Sequence, residues 1–276
     1  MSGADVPGDG ELQIGSVRLP AGRRISAGHG SGGPVAWATT GPLPDAGRVW
    51  AALSQAHAQS GLVPFLLSGI VPGSTERPWD NQEFRDPDDV TDLDHLDAAA
   101  LLREWWNSET SEAEEDDEEP EGYEDEDFAR YIAEAIAPFS RRRFPGLAPA
   151  EDHQLSADRL DQMLGALPPA RIGLAPASRP ADALPMLGWN EALDTALPIA
   201  AVLRSWEDRF GARLLRVGFA EISLLAQRPP RTLATAQRLA AEQWAFCNEC
   251  AGEGLHDVPR ITASLMNSPI WTFWWD

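Results

Sequence analysis

The sequence of 276 residues contains no lysine, so all 22 of its basic residues are arginine. This absence excludes several enzyme classes, because Walker-type nucleotide sites, protein kinases and Schiff-base or pyridoxal enzymes each depend on a lysine amine. Arginine stays protonated at any ordinary pH, so its side chain does not serve as a proton acceptor. Chemistry that needs a tunable basic amine is therefore excluded.

Cysteine and long apolar segments are also scarce. Two cysteines in a chain of this length do not form a disulfide framework. The longest apolar run, residues 61–71, is too short to span a bilayer. Residues 1–10 lack the basic-then-apolar pattern of a secretory signal. We therefore expect a cytoplasmic protein that makes no contact with a membrane.

Acidic residues dominate the charge, with 43 acids against 22 bases and a net charge of −21. Residues 109–127 contain 13 acids and no base, which leaves −8 for the rest of the chain. Such a run cannot bury apolar surface, so it is predicted to be a disordered insert whose deletion leaves thermal stability nearly unchanged. The charge argues against a nucleic-acid partner and permits a basic protein partner.

Hydrophobic periodicity predicts a mixture of helices and strands. The clearest early elements are a strand at residues 34–39, a helix that begins after Asp45 and ends at Gly61, and a buried strand within 62–70. Further helices are predicted at 97–106, 128–136, 156–167, 180–189, 199–210, 232–247 and 261–266, and further strands at 171–175, 215–219, 222–224 and 270–276. Residues 1 to about 33 are rich in Gly, Ser and Pro, and their start is expected to be mobile. Gly28, Gly30, Gly32 and Gly33 are interpreted as a linker. The predicted fold class is α+β, with mixed or antiparallel sheets flanked by helices and the C-terminal strand docked in the sheet.

The sequence closes on four aromatic residues among the last six. Side chains of this size bury the most area, so we expect a docked core strand, with an exposed rim of the same strand as a possible binding surface. The candidate binding residues are Trp271, Phe273, Trp274, Trp275 and Asp276. The Asp276 carboxylate is expected to need an arginine or a helix N-terminus as its partner.

Several of these segments resemble a bacterial, actinobacterial-type family known as domain-of-unknown-function family 4253. The resemblance lies in EQWAFC at 242–247, WTFWWD at 271–276, SWEDRFGA at 205–212, RPWD at 77–80 and the stretch 175–189. The acidic insert and Cys250 depart from the family pattern. The resemblance implies no activity, cofactor or catalytic residue. The predicted organisation is an N-terminal α/β region at 1–108, the acidic insert at 109–127 and a C-terminal α+β domain at 128–276, with its family-like core at about 190–276.

Two groups of residues could carry chemistry. Cys247 and Cys250 form a CxxC, but at the end of a predicted helix, where the dipole does not lower a thiol pKa, so a structural role is favoured over a metal or redox role. An acid-rich stretch lacks the spacing of a calcium loop and is interpreted as solvated. Its members are Asp80, Glu83, Asp86, Asp88, Asp89, Asp92, Asp94, His95 and Asp97.

Two functional hypotheses follow. The first is a non-catalytic protein-interaction module, immunity-like or regulatory, without a cofactor or a bound metal and with another protein, of basic character, as its partner. The alternative is a metal-dependent hydrolase that uses carboxylate and histidine side chains. Nucleic-acid binding is rejected on charge.

Overall fold

The computed structural model describes residues 5–28, 32–71, 74–112, 143–189, 195–248 and 258–275. The strands are β1 Gly10–Ile14, β2 Val17–Ser26, β3 Pro34–Thr39, β4 Leu62–Leu67, β5 Ile172–Pro176, β6 Ala212–Val217, β7 Glu221–Ala226 and β8 Ile270–Trp274. The α-helices are α1 Ala46–Ser60, α2 Ala98–Glu112, α3 Ala157–Gly165, α4 Ala183–Leu187, α5 Leu197–Phe210, α6 Leu233–Phe246 and α7 Val258–Asn267.

The eight strands form one sheet in the order β1-β2-β3-β5-β4-β6-β7-β8. Neighbouring strands run antiparallel except β4 and β6, which are parallel. The predicted α+β class, with a mixed sheet and the last strand docked in it, is confirmed. β3 and β4 are consecutive in the chain but not adjacent, because β5 lies between them and pairs with both. The sheet therefore combines four strands that precede the acidic run in the chain with four that follow it.

The sheet is covered by helices on both faces. On β4, Phe65 belongs to one hydrophobic cluster and Leu66 to the other, because successive side chains of a strand point to opposite faces. The Phe65 cluster contains the buried side chains of α2, α5 and α6, whereas the Leu66 cluster contains those of α1 and α3. Within the described residues, no helix is long and apolar enough to cross a membrane.

Most predicted helix boundaries are confirmed, and their end signals act as expected. The hydroxyls of Ser156 and Thr232 accept the capping hydrogen bonds of α3 and α6. Gly61 and Gly211 end α1 and α5 in the left-handed conformation, with φ of 67° and 59°. The predicted helix at 128–136 lies outside the described residues, and α2 continues to Glu112, so residues 109–112 of the predicted insert are helical.

The composition of residues 1–33 predicts no strand, but the structure places the hairpin of β1 and β2 there. Leu19 and Ile25 of β2 are buried in the core. Gly15 makes the turn possible with a φ of 56°, a conformation that glycine adopts without steric cost. Gly28, Gly32 and Gly33, interpreted from the sequence as a linker, lie in the connection between β2 and β3.

Three side chains differ from their predicted roles. Asp45 precedes α1 but makes no side-chain capping hydrogen bond. Ile70 lies beyond β4 and is 56% exposed, because that strand already ends at Leu67. Leu233 falls within the helix predicted at 232–247 but is 60% exposed, because it is the first residue of α6, before the buried stripe begins.

Candidate functional site

Strand β8 divides the predicted binding residues between two environments. Trp271, Phe273 and Trp275 are buried at 3%, 2% and 9% exposure, whereas Trp274 is 44% exposed. Strand alternation explains the split, because residues 271 and 273 face the helices and residue 274 faces the other way. Asp276 lies outside the described residues. The structure therefore brings three of the candidates into the core and leaves one tryptophan at the surface.

The buried aromatics of β8 pack on two helices that carry the family-like motifs. The ring of Trp206 on α5 stacks on Phe273 at a centroid distance of 5.4 Å. Phe246 at the end of α6 meets the edges of Phe273 at 4.9 Å and Trp275 at 5.6 Å. These contacts fix the position of β8 and, through it, the orientation of Trp274.

A buried ion pair joins the same two helices. Glu242 on α6 is fully buried and accepts two hydrogen bonds from the guanidinium of Arg209, at 2.6 and 2.8 Å. The Trp206 indole N–H donates to its second oxygen at 2.8 Å, and the backbone N–H of Ala148 donates to its first at 2.6 Å. The carboxylate is thus fully surrounded by donors, which fits a structural role in holding α5 and α6 together.

The outer edge of β8 is the edge of the sheet in the described part of the chain. Trp275 donates to Ala220 at 3.0 Å and Ala226 donates to the Pro269 carbonyl at 2.8 Å, which fixes the hydrogen-bonded positions of β8 as the odd-numbered ones. The backbone groups of residues 270, 272 and 274 consequently point away from β7. This edge is the feature on which the candidate site is built.

Backbone groups at two of those three positions are already hydrogen-bonded within the chain. The Ser268 hydroxyl bonds both the N–H and the carbonyl of Ile270, at 3.2 and 3.3 Å. The Cys247 thiol donates to the Trp274 carbonyl at 2.9 Å. Among the described residues, Thr272 is left with an outward N–H and an outward carbonyl that have no hydrogen-bond partner.

A groove of about 200 Å³ lies along this edge, and we call it the β8 groove. Its walls come from α6, α7 and β8, and it is lined by Gln243, Cys247, Arg260, Ile261, Ser264, Leu265 and residues 270–273. Arg260 is the one charged residue among these described lining residues. The groove is thus a mixed polar and apolar slot beside a strand edge.

Gln243 is the unusual member of the lining. Its side chain is buried, with 8% of the residue exposed, and its Nε2 has no hydrogen-bond partner in the described structure. Trp271 also lines the groove, and its Nε1 lacks a partner in the same way. A buried donor without an acceptor destabilises a protein, so these groups call for a functional explanation.

In the described part of the chain, the residues predicted as metal or redox candidates do not come together in one cluster. There, no group of three or more His, Cys, Asp or Glu side chains is arranged to hold a metal ion. Members of the acid-rich stretch act separately instead. Asp80 pairs with Arg23 and Arg171, Asp88 accepts from the N–H of Ala196, and Asp94 pairs with Arg204. Cys247 ends α6 as predicted, and Cys250 lies outside the described residues.

Sequence reasoning missed Gln243 and Thr272. Gln243 sits within EQWAFC, between the charged Glu242 and the larger Trp244, and no local pattern distinguishes it. Thr272 interrupts the aromatic run, and that polar position was the available signal. Its importance depends on the strand order of the sheet, which a local pattern does not give.

Residues 171–276 match the model of a family described as a domain of unknown function, DUF4253. This match supports the resemblance found in the sequence for β5 to β8, and the β8 groove and the Glu242 network fall almost wholly within it. The RPWD segment at residues 77–80 lies outside the match. Comparisons with curated proteins and with solved structures found no match.

Proposed function

We propose that the protein is a non-catalytic protein-interaction module that binds its partner through β8 and the surface beside it. The observation that carries the proposal is the 44% exposure of Trp274 on a strand whose other aromatic side chains are buried. Tryptophan is enriched among the residues that dominate binding energy at protein interfaces. A tryptophan held rigidly by a docked strand loses little entropy on binding.

The charge of the chain favours a basic partner. A net charge of −21 attracts positively charged proteins and speeds their association at low ionic strength. An immunity-like or regulatory role, in which an acidic protein covers a basic surface of its target, is consistent with this charge. The metal-dependent hydrolase stays an alternative without a specific supporting observation.

The test is affinity capture from source lysate with wild-type protein, the Trp274→Ala variant and a control variant. Val71→Ala is a suitable control, because Val71 is an apolar side chain that is 62% exposed and not part of β8. For a captured protein that is then purified, we expect Trp274→Ala to weaken binding by at least about tenfold in calorimetry and Val71→Ala to leave it unchanged.

Two results would contradict the proposal. One is capture of no specific protein by the wild type. The other is equal affinity of the wild type and Trp274→Ala for every captured protein. Purified complexes also test the charge argument, since a basic partner should associate more slowly as the salt concentration rises.

A further inference from the structure

We propose that the β8 groove binds an extended peptide segment of the partner, which joins the sheet as an additional strand beside β8. This inference rests on the proposed function and specifies the form in which the partner is recognised. It assigns a role to two features that the packing of the fold does not require: the outward backbone groups of Thr272 and the buried amide of Gln243.

The backbone of Thr272 offers one complete pairing position. A residue of an antiparallel or parallel neighbour strand could accept from its N–H and donate to its carbonyl. On either side of Thr272, the Ser268 hydroxyl bonds the backbone of Ile270 and the Cys247 thiol bonds the carbonyl of Trp274. The part of the edge where a peptide can pair is therefore the centre of the groove. Recognition of a peptide by main-chain pairing at a sheet edge is a recurring mode of protein binding.

The side-chain amide of Gln243 is the second group that could form a hydrogen bond with a bound peptide. Its buried Nε2 lacks an acceptor, and it belongs to a residue that lines the groove beside Thr272. An extended peptide carries one backbone carbonyl per residue, and those that do not pair with Thr272 are acceptors available to the Gln243 Nε2. Satisfying a buried donor in this way recovers the desolvation cost that the free protein bears.

The first experiment separates the backbone of residue 272 from its side chain. Peptides are selected from a random displayed library against the full chain, and a selected peptide is synthesised and titrated. Thr272→Pro removes the outward N–H without removing a bond to β7, a substitution that edge strands tolerate. Thr272→Ala keeps the N–H and loses the same contact of the Thr272 hydroxyl with Ser223. We expect Thr272→Pro to weaken binding by about tenfold or more relative to Thr272→Ala.

The second experiment uses Gln243→Leu. Replacing an unpaired buried amide by an apolar side chain of similar size should leave the melting temperature unchanged or raise it. We expect the same variant to bind the selected peptide several-fold more weakly. Lower affinity at equal or higher stability is a result that a purely structural role of Gln243 does not produce.

Several outcomes would overturn the inference. They are selection of no peptide, equal affinity of Thr272→Pro and Thr272→Ala when both melt as folded proteins, and unchanged peptide binding by Gln243→Leu. Sedimentation without peptide provides a further check, since a dimer that Thr272→Pro dissociates would assign the edge to a second copy. Loss of partner binding in Trp274→Ala together with normal binding in Thr272→Pro would reject the groove and retain the interaction function.

Discussion

Glu207 on α5 and Glu242 on α6 differ in how their charge is compensated. Glu242 has no exposed surface and accepts hydrogen bonds from Arg209, Trp206 and Ala148. Glu207 on α5 lies 3.6 Å from Arg179 and accepts one backbone hydrogen bond at 3.3 Å, yet burial raises the pKa of its carboxyl group. Glu242 is thus held by hydrogen-bond donors on every side, whereas burial of Glu207 favours its protonated form.

Removing the Glu242 carboxylate should be strongly destabilising. We expect Glu242→Ala to lower the free energy of unfolding by roughly 3–5 kcal/mol, because it leaves the Arg209 charge buried without its partner. Denaturant titration measures the change. Asp161→Ala is the matched control, since Asp161 also accepts two hydrogen bonds from one arginine, Arg48, at 2.7 and 3.0 Å, but on the surface. A loss of stability in the control equal to that in Glu242→Ala would contradict the argument.

Glu207 should give the protein a recognisable pH dependence. Desolvation by burial raises the pKa of the Glu207 carboxyl group above its ordinary value, so the folded protein binds a proton more tightly than the unfolded chain. Stability from this group is therefore complete below the unfolded pKa and is lost as the pH rises through the folded pKa. Relative to Glu207→Gln, the wild type should gain stability as the pH falls from about 7 to about 4. Paired denaturation curves test this, and a gain in the opposite direction would refute it.

At the scale of the element, β8 combines a structural face and an exposed face. Phe273→Ala should cost about 3–5 kcal/mol of unfolding free energy, because the ring is 2% exposed and packs on Trp206 and Phe246. Trp274→Ala, one residue further along, should cost less than about 1 kcal/mol, because much of its side chain remains in solvent. Thermal and denaturant unfolding of both variants measures the contrast. Similar losses of unfolding free energy in the two variants would mean that both faces of β8 contribute equally to the stability of the fold.

The helices were predictable because their signals are local. The apolar stripe of α5, its Pro198 and its Gly211 all lie within one short segment. The strand order of the sheet was harder to predict, since the placement of β5 between β3 and β4 depends on residues far apart in the chain. The β1–β2 hairpin was missed because its glycines resemble a linker composition. The groove could not be predicted at all, since it requires the edge position of β8 and the approach of α7.

At the scale of the whole molecule, charge and fold are largely separate properties. We expect deletion of residues 113–127 to leave the melting temperature nearly unchanged, because the segment is rich in acids and poor in apolar side chains. A deletion that begins at residue 109 should be destabilising, since Thr110 of α2 is buried at 6% exposure. Thermal unfolding of the two deletions distinguishes them. A large loss from the shorter deletion would show that the acidic segment supports the fold.

The position of β5 has a consequence for the order in which the protein can be completed during synthesis. The ribosome delivers β3 and β4 well before β5, and until β5 arrives both strands have an unpaired edge in what will become the middle of the sheet. Unpaired edges of apolar strands are templates for aggregation, and contacts between distant residues form slowly. The nascent chain therefore exposes these two strand edges until residues 172–176 have been synthesised and β5 can pair with both strands.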